Sequence, residues 1–298
     1  MTQLTENIDA FQEATPHVNE LKRFSRVFLG RPVVVIGAII IIILFILAAF
    51  PQWIAPYDPI KQDLSNTLLQ PSSEHLLGTD ALGRDLLSRI IYGGRTAVIV
   101  GVIALSIAAS IGMTMGLTAG FFGGFTYTVI MRLVDTLMAF PQLLLVITLA
   151  TLLGGGMYMV MIALGLGMLT GYARVMCGQT MSIRENDYIL ASRASGASHF
   201  RIMFRHILPN AFPPMIVMMT MMIGMTILAE AGLSYLGIGI REPTVAWGSL
   251  VSDGQRYLLT HPLLSVAPGF AIIVVVYAFN MVGDGIRDAI DPSLRGTF

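Results

Sequence analysis

The chain has 298 residues, 55% hydrophobic and 12% charged, and its Lys+Arg and Asp+Glu balance to a formal net charge of zero. Charges at about half the usual quarter of a soluble domain, with a mean hydropathy of +0.74, cannot cover a water-facing surface, so part of the solvent is lipid. Neutrality argues against a nucleic-acid binder, and the lone Cys177 excludes an internal disulfide or a multi-cysteine metal site. Lys22 and Lys61 are the two lysines and neither follows a glycine, which excludes a phosphate-binding G-x-x-x-x-G-K-[ST] loop in this chain.

Residues 1–31 form a polar tail with Glu6, Asp9, Glu13 and Glu20, and an interfacial helix is expected near Val18–Phe28. A spanning helix needs about 20 apolar residues. Pro32 to Pro51 carries no charge and is the first span. It starts too late, behind too acidic a tail, for a signal peptide. Residues 52–95 form an outer segment rich in turn formers, including Pro56, Pro59, Pro71, Gly78 and Gly83. A membrane core is then expected over 96–284 and a short tail over 285–298. Its second span is placed at 97–119, ended by Gly120, Gly123 and Gly124. The uncharged run from Thr136 to Ala173 is too long for one helix, and Gly154-Gly155-Gly156 splits it into spans at 134–153 and 157–175. The fifth and sixth spans are expected at Ile207 to Ala229 and Pro262 to Gly283. Between them, Ala231–Ile240 is too short to cross and is read as a re-entrant or interfacial piece. With the N-terminus inside, the inner segments carry twelve Lys and Arg and the outer ones six, which favours both termini in the cytoplasm.

The expected fold is therefore an all-α membrane protein with six transmembrane helices. Spans one, two, five and six lack mid-membrane charges, whereas Arg132, Asp135, Arg174 and Glu230 fall near span ends. Arg132 and Asp135 read as a helix-end pair that snorkels to the interface. A proton- or sodium-coupled carrier would show buried carboxylates or broken helices at mid-depth. An energy source outside the chain fits better than a secondary carrier, which remains the rival of another class. The scattered histidines and the absent H-E-x-x-H pattern offer no metal or zinc-protease site, and no catalytic residue is expected.

The most informative stretch runs from Asp187, read as an N-cap, to Asn210. Small residues fill its middle, including Ala191, Ser192, Ala194, Ser195, Gly196, Ala197 and Ser198. Glycine inside a helix costs up to about 1 kcal/mol and is understandable where a backbone approaches closely or the helix bends. Arg193, Arg201 and Arg205 give a basic flank; Phe200, Ile202, Met203 and Phe204 give an apolar one. Pro209 opens the next span. The segment is either an amphipathic helix on the inner leaflet, in contact with membrane lipid, or a docking helix for a cytoplasmic partner.

The spacing Ala191…Gly196…His206-Ile207-Leu208-Pro209 resembles the EAA loop of ABC importer permeases, with Leu190 in place of the usual Glu and Ser192 in place of the second Ala. The form A-S-R-x-x-G-A…H-I-L-P-N is similar to the peptide/nickel branch. Further resemblances lie in Trp53-Ile-Ala-Pro-Tyr-Asp-Pro59, Leu77-Gly-Thr-Asp through Arg89, Tyr92-Gly-Gly-Arg95, Phe121-Phe-Gly-Gly124, Met131-Arg-Leu-Val-Asp135, Phe140-Pro141, Leu236-Gly-Ile-Gly239, Trp247-Gly248 and Asn280 through Pro292. The chain is most similar to the dipeptide/oligopeptide permease C subunits.

The resemblance implies a type I importer permease fold with a cytoplasmic coupling helix between spans four and five. Its ATPase-coupling residues would be Leu190, Ala191, Ser192, Arg193, Gly196, Ala197, Phe200, Arg201, Arg205 and Pro209. It implies an inner-membrane heterodimer with a sibling permease, two P-loop ATPase subunits that bind ATP and Mg, and a periplasmic or lipid-anchored substrate-binding protein. This chain itself would hold no cofactor and hydrolyse nothing. The implied cargo is a short peptide; the alternative within the branch is nickel or a metal chelate. Met218, Met221, Met222 and Met225 are candidate pathway residues, since soft side chains suit varied cargo, although plain packing explains them equally. Tyr235, Arg241 and Trp247 are candidate binding-protein contacts, with an interfacial anchor the other reading of Trp247. Asp80 or Asp85, paired with Arg84 or Arg89, would tie down the outer loop.

Overall fold

The computed structural model describes Ser25 and residues 27–290. Most of both expected tails, and most of the expected interfacial helix near 18–28, lie outside the described residues. Among the described residues the secondary structure is helical, apart from an isolated bridge between Thr79 and Asp85.

Helix α1 runs Pro32–Ala49. Pro32 has the fixed φ that suits a first turn and lacks an N–H that would go unpaired there. Pro51 starts a short turn, α2 (Pro51–Ile54). The outer segment then folds on local polar bonds. Asp63 accepts from the Ser65 N–H at 3.1 Å, and one Asp80 oxygen accepts from the N–H groups of Leu82 and Arg84, both at 2.9 Å.

Helix α3 runs Leu86–Phe122, about 55 Å at 1.5 Å per residue, well beyond a hydrocarbon layer of about 30 Å. Residues 86–95, expected in the outer loop, are helical because Asp85 caps them, accepting from the Ser88 N–H at 2.8 Å and the Ser88 hydroxyl at 2.7 Å. At the other end, Gly120 does not break the helix. Gly112, Gly116 and Gly120 form a stripe against helix α6 (Met157–Arg184). A Cβ on Gly116 would lie 2.3 Å from the Ala173 carbonyl oxygen, and one on Gly112 would lie 2.4 Å from that of Leu169. Small residues at this spacing let two membrane helices touch backbone to backbone.

The single span expected at 134–153 is two helices, α4 (Gly124–Met138) and α5 (Gln142–Leu152), bent by 91°. Pro141 has no N–H to donate and disfavours helical geometry at Phe140, so the break falls there. The pair still follows α6. Met131 and Val134 share a buried cluster with Ala173 and Cys177, Val146 meets Gly167, and Ala150 shares a cluster with Val160. Counted as one broken crossing, the bent pair joins the five helices long and apolar enough to cross a membrane and brings the number among the described residues to six.

The remaining elements are α7 (Asp187–Ala194), α8 (Leu208–Tyr235), α9 (Trp247–Gln255) and α10 (Leu263–Ile290). Ala231–Tyr235 is the end of α8 rather than a re-entrant piece. At the opposite pole Arg31, preceding α1, pairs with Asp288 near the end of α10, so the start of α1 and the end of α10 lie side by side.

Candidate coupling segment, pathway and outer cleft

Between α6 and α8 the chain makes two short helices around a glycine. Asn186, not Asp187, is the N-cap of α7, and Asp187 sits in its first turn, where a carboxylate complements the helix dipole. Gly196 is not inside a helix. Its φ is +77°, its N–H donates to the Arg193 carbonyl at 2.9 Å, and the Ala197 N–H donates to Ser192 at 3.1 Å. These bonds form a Schellman stop, which requires left-handed backbone at the glycine. Ser198 then caps the next turn, His199–Arg201.

Residues Ile202–Ile207 widen into a π-turn before α8. Pro209 accounts for it: an ordinary helix would drive the proline ring into the Arg205 carbonyl. The Asn210 amide donates to the His206 carbonyl at 2.6 Å beside this interruption.

The segment has two faces. Ile189, Ile202 and Ile207 are fully buried and join Leu117, Phe121, Met176 and Ile183 at the ends of α3 and α6. The Arg193 guanidinium lies 5.3 Å from the centre of the Phe121 ring, and His199 meets Phe121 edge-on at 5.5 Å. Arg184 donates to the Gly120 carbonyl at 2.9 Å and to that of Phe121 at 3.3 Å, closing the C-terminus of α3. The outward face carries Tyr188, Leu190, Phe204 and Phe200, the last 71% exposed. Phe200 and Phe204 pack ring to ring at 4.4 Å. Ala191, Arg193, Gly196, Arg201, Arg205 and Pro209 are exposed too, while Ser192 and Ala197 are half-buried. Most of the coupling candidates are thus exposed, on a segment whose isoleucines are held in the inner core cluster.

The methionines divide. Met218 reaches Gly171 of α6 and Met221 reaches Gly283 of α10. Met222 packs on the inner core cluster, and Met225 is exposed. Asp135 pairs with Arg174 at 2.5 Å rather than with Arg132 as the sequence suggests, because Asp135 and Arg174 meet across the α4–α6 contact.

At the far end of the bundle, Asp80 accepts from Arg84 Nε at 2.7 Å and Arg89 Nη1 at 2.5 Å. Both guanidinium groups also reach Glu242 Oε1, at 2.7 and 3.3 Å. Burial disfavours the Asp80 carboxylate, but the N–H and guanidinium of Arg84 and the charge of Arg89 outweigh it and hold Asp80 below the usual carboxylate range. Glu242 is lowered in the same way, burial again being overcome by the two arginines. Asp253 is raised, mainly by burial. Asp80, Arg84, Arg241, Glu242, Asp253 and Arg256 line a half-open cleft of about 460 Å³. Sequence reading missed Glu242 and Asp253, which lie far along the chain from the 80–89 motif.

Of the candidate binding-protein contacts, Arg241 is exposed, and Tyr235 is exposed and donates to Gln255 at 2.9 Å. Trp247 is neither an interfacial anchor nor an exposed contact. It is buried, its indole N–H donates to the Ile90 carbonyl at 2.8 Å, and its ring lies against Gly93 and Gly94. Two glycines on α3 leave the space that a large ring fills.

An all-helical bundle with a broken crossing and a two-faced segment between its fourth and fifth crossings defines the class. Its fold is that of an importer permease, shared with the inward facing MetNI methionine ABC transporter at a TM-score of 0.56 and 18% identity, covering 69% of this chain and 98% of that one. Residues 110–296 match the family described as binding-protein-dependent transport system inner membrane component, and residues 20–71 match the N-terminal TM domain of oligopeptide transport permease C. The chain belongs to that inner-membrane-component family, as a multi-pass permease subunit of an ABC importer. Among its relatives, the probable D,D-dipeptide transport system permease protein DdpC of Escherichia coli K12 is 37% identical over 90% of each chain. The glutathione transport system permease protein GsiD of Shigella flexneri serotype 5b is 40% identical over 96% of this chain and 93% of that one.

Proposed function

We propose that this subunit moves short peptides across the inner membrane by ATP-driven alternating access. The observation that carries the reading is the two-faced segment between α6 and α8. Its buried isoleucines tie it to the ends of α3 and α6, while Phe200, Phe204, Leu190 and Tyr188 are left exposed in an apolar, arginine-flanked surface. A surface of that kind suits a protein groove, and its rigid backing suits the passing of a displacement into the spans. The occupants proposed are two P-loop ATPase subunits carrying ATP and Mg, one docked here and one on the sibling permease. On this reading the segment and both chain ends face the cytoplasm, in keeping with the bias of Lys and Arg.

A periplasmic or lipid-anchored binding protein would deliver cargo at the opposite pole, to the cleft beside Arg241 and Tyr235. The peptide class rests on the relatives, whose names specify D,D-dipeptide and glutathione transport. The test is recovery of the tagged chain from native membranes, paired with uptake of labelled dipeptide. Co-purification of a second permease and P-loop ATPases, lost for Gly196→Arg with the chain still inserted, is the expected result. A chain that comes down alone and transports in liposomes without ATP would replace this reading by a secondary carrier.

A further inference from the structure

We propose that Asp135 and Arg174 form a peptide-binding station in the translocation pathway, Arg174 taking the carboxylate end and Asp135 the ammonium end of a zwitterionic peptide; this rests on the peptide-importer reading above. Depth is the first argument. Helix α6 has 28 residues, about 42 Å, and Arg174 lies about 25 Å from its start and about 15 Å from its end. A layer of about 30 Å covers Arg174 wherever it falls along that helix. Asp135 agrees from the other strand of the contact, about 16 Å from the start of α4. Both charges thus fall within such a layer, Arg174 in the half toward the end of α6.

Exposure is the second argument. Both side chains are 52% exposed although paired. Ionisable groups within a membrane layer face a water-filled cavity or a protein neighbour rather than lipid, so this side of α4 and α6 is turned from lipid, toward the path or the sibling permease beside it. Two further features agree. The chain breaks by 91° just beyond Asp135, and irregular backbone at membrane depth belongs where it lines a cavity. One turn along α6, Gly178 has no atom within 4 Å of where its Cβ would stand, so there is open space beside the guanidinium. Gly171, one turn the other way, meets the Met218 side chain, which brings one adaptable methionine of α8 close by.

The recognition is an exchange of partners. In the empty state each charge neutralises the other, which limits the cost of holding them at depth. An arriving peptide offers a carboxylate to Arg174 and an ammonium to Asp135, so no net charge is created as the internal pair opens. A guanidinium binds a carboxylate through two parallel bonds, and the side chains of the cargo need not be read at all.

The experiment uses the assembled importer in proteoliposomes with its binding protein, in a Cys177→Ala background. Gly178→Cys is the reporter, because it leaves the ion pair intact, and Ile43→Cys on the exposed face of α1 is the lipid-side control. A charged, water-soluble thiosulfonate should label Gly178→Cys about tenfold faster than Ile43→Cys, and a transported dipeptide should slow that labelling about threefold, roughly 0.7 kcal/mol of protection. Adding Arg174→Gln or Asp135→Asn should abolish the protection and lower uptake about tenfold, while Arg174→Lys, which keeps the charge, should retain protection. Recovery of the second permease and the ATPase subunits with the tagged chain should match that of the unsubstituted importer in all of them and report an intact complex. Labelling of Gly178→Cys as slow as that of Ile43→Cys would overturn the pathway placement. Protection that survives Arg174→Gln and Asp135→Asn would overturn the charge exchange. Wild-type importer that takes up no peptide would instead sink the proposed function itself, and the peptide station with it.

Discussion

Arg84 and Glu242 stand 158 residues apart in sequence and share a hydrogen bond of 2.7 Å. Through that bond and the one from Arg89, the loop before α3 and the first turn of α3 are fastened to the loop between α8 and α9. Arg84 and Arg89 are buried, Asp80 is largely so, and Glu242 is 55% exposed. Removing Arg89 leaves a mostly buried carboxylate short of a partner, which costs about 3 kcal/mol. Glu242→Gln should cost under about 1 kcal/mol, because an exposed partner is screened by water. Limited proteolysis of the 52–85 segment in the purified complex checks both, with rapid nicking expected for Arg89→Ala and near wild-type rates for Glu242→Gln.

The same cluster sets a pH response. Asp80 and Glu242 are held below their ordinary values, so the stability they contribute is complete above the ordinary carboxylate range and is lost as pH falls through their lowered values. Asp253 is raised, so its contribution has the opposite sign and grows on acidification. The paired groups outnumber it. The outer loop should therefore stay protected from protease at neutral pH and open only in strong acid, and Asp80→Asn should remove most of that dependence.

Gly196 ends α7 with left-handed backbone and open space around it. Gly196→Ala meets no clash, but its backbone strain costs about 1–2 kcal/mol, and the two short helices should lose their fixed angle. Gly196→Asn, which tolerates that conformation better, should retain more uptake than Gly196→Ala at equal expression. Equal loss in both variants would mean that the glycine matters for a contact rather than for its φ.

Two apolar groups in the same segment should behave oppositely. Ile202→Ala empties a fully buried site and should cost about 2–4 kcal/mol, seen as a lower midpoint of thermal unfolding. Phe200→Ala with Phe204→Ala touches exposed rings and should shift stability by less than about 0.5 kcal/mol, yet reduce recovery of ATPase subunits with the complex.

Gly116 and Gly178 offer a matched pair within the membrane. Gly116→Leu would force the α3 and α6 backbones apart, since even a Cβ would fall 2.3 Å from a carbonyl oxygen, and loss of folded protein is expected. Gly178→Ala has room, and a better helix former in its place should leave the yield of folded complex unchanged or higher.

Much of this protein was legible along the chain. Lipid as solvent and the extent of α1 follow from runs of apolar residues, because the hydrocarbon layer demands a minimum length of uncharged helix. The coupling candidates could be read from the short pattern between Leu190 and Pro209, where small residues, a glycine and a proline are local signals. What the tertiary structure decided concerns partners far apart in sequence. Gly120 looks like punctuation until α6 lies against it. Trp247 looks like a surface aromatic until Gly93 and Gly94 leave it a slot. Asp135 has Arg132 as its near neighbour in sequence, but Arg174 as its partner across two packed helices. Glycine, proline and charge announce that something local is unusual. Only the packing of one helix on another decides whether that feature is a break, a contact or a charge held inside the membrane.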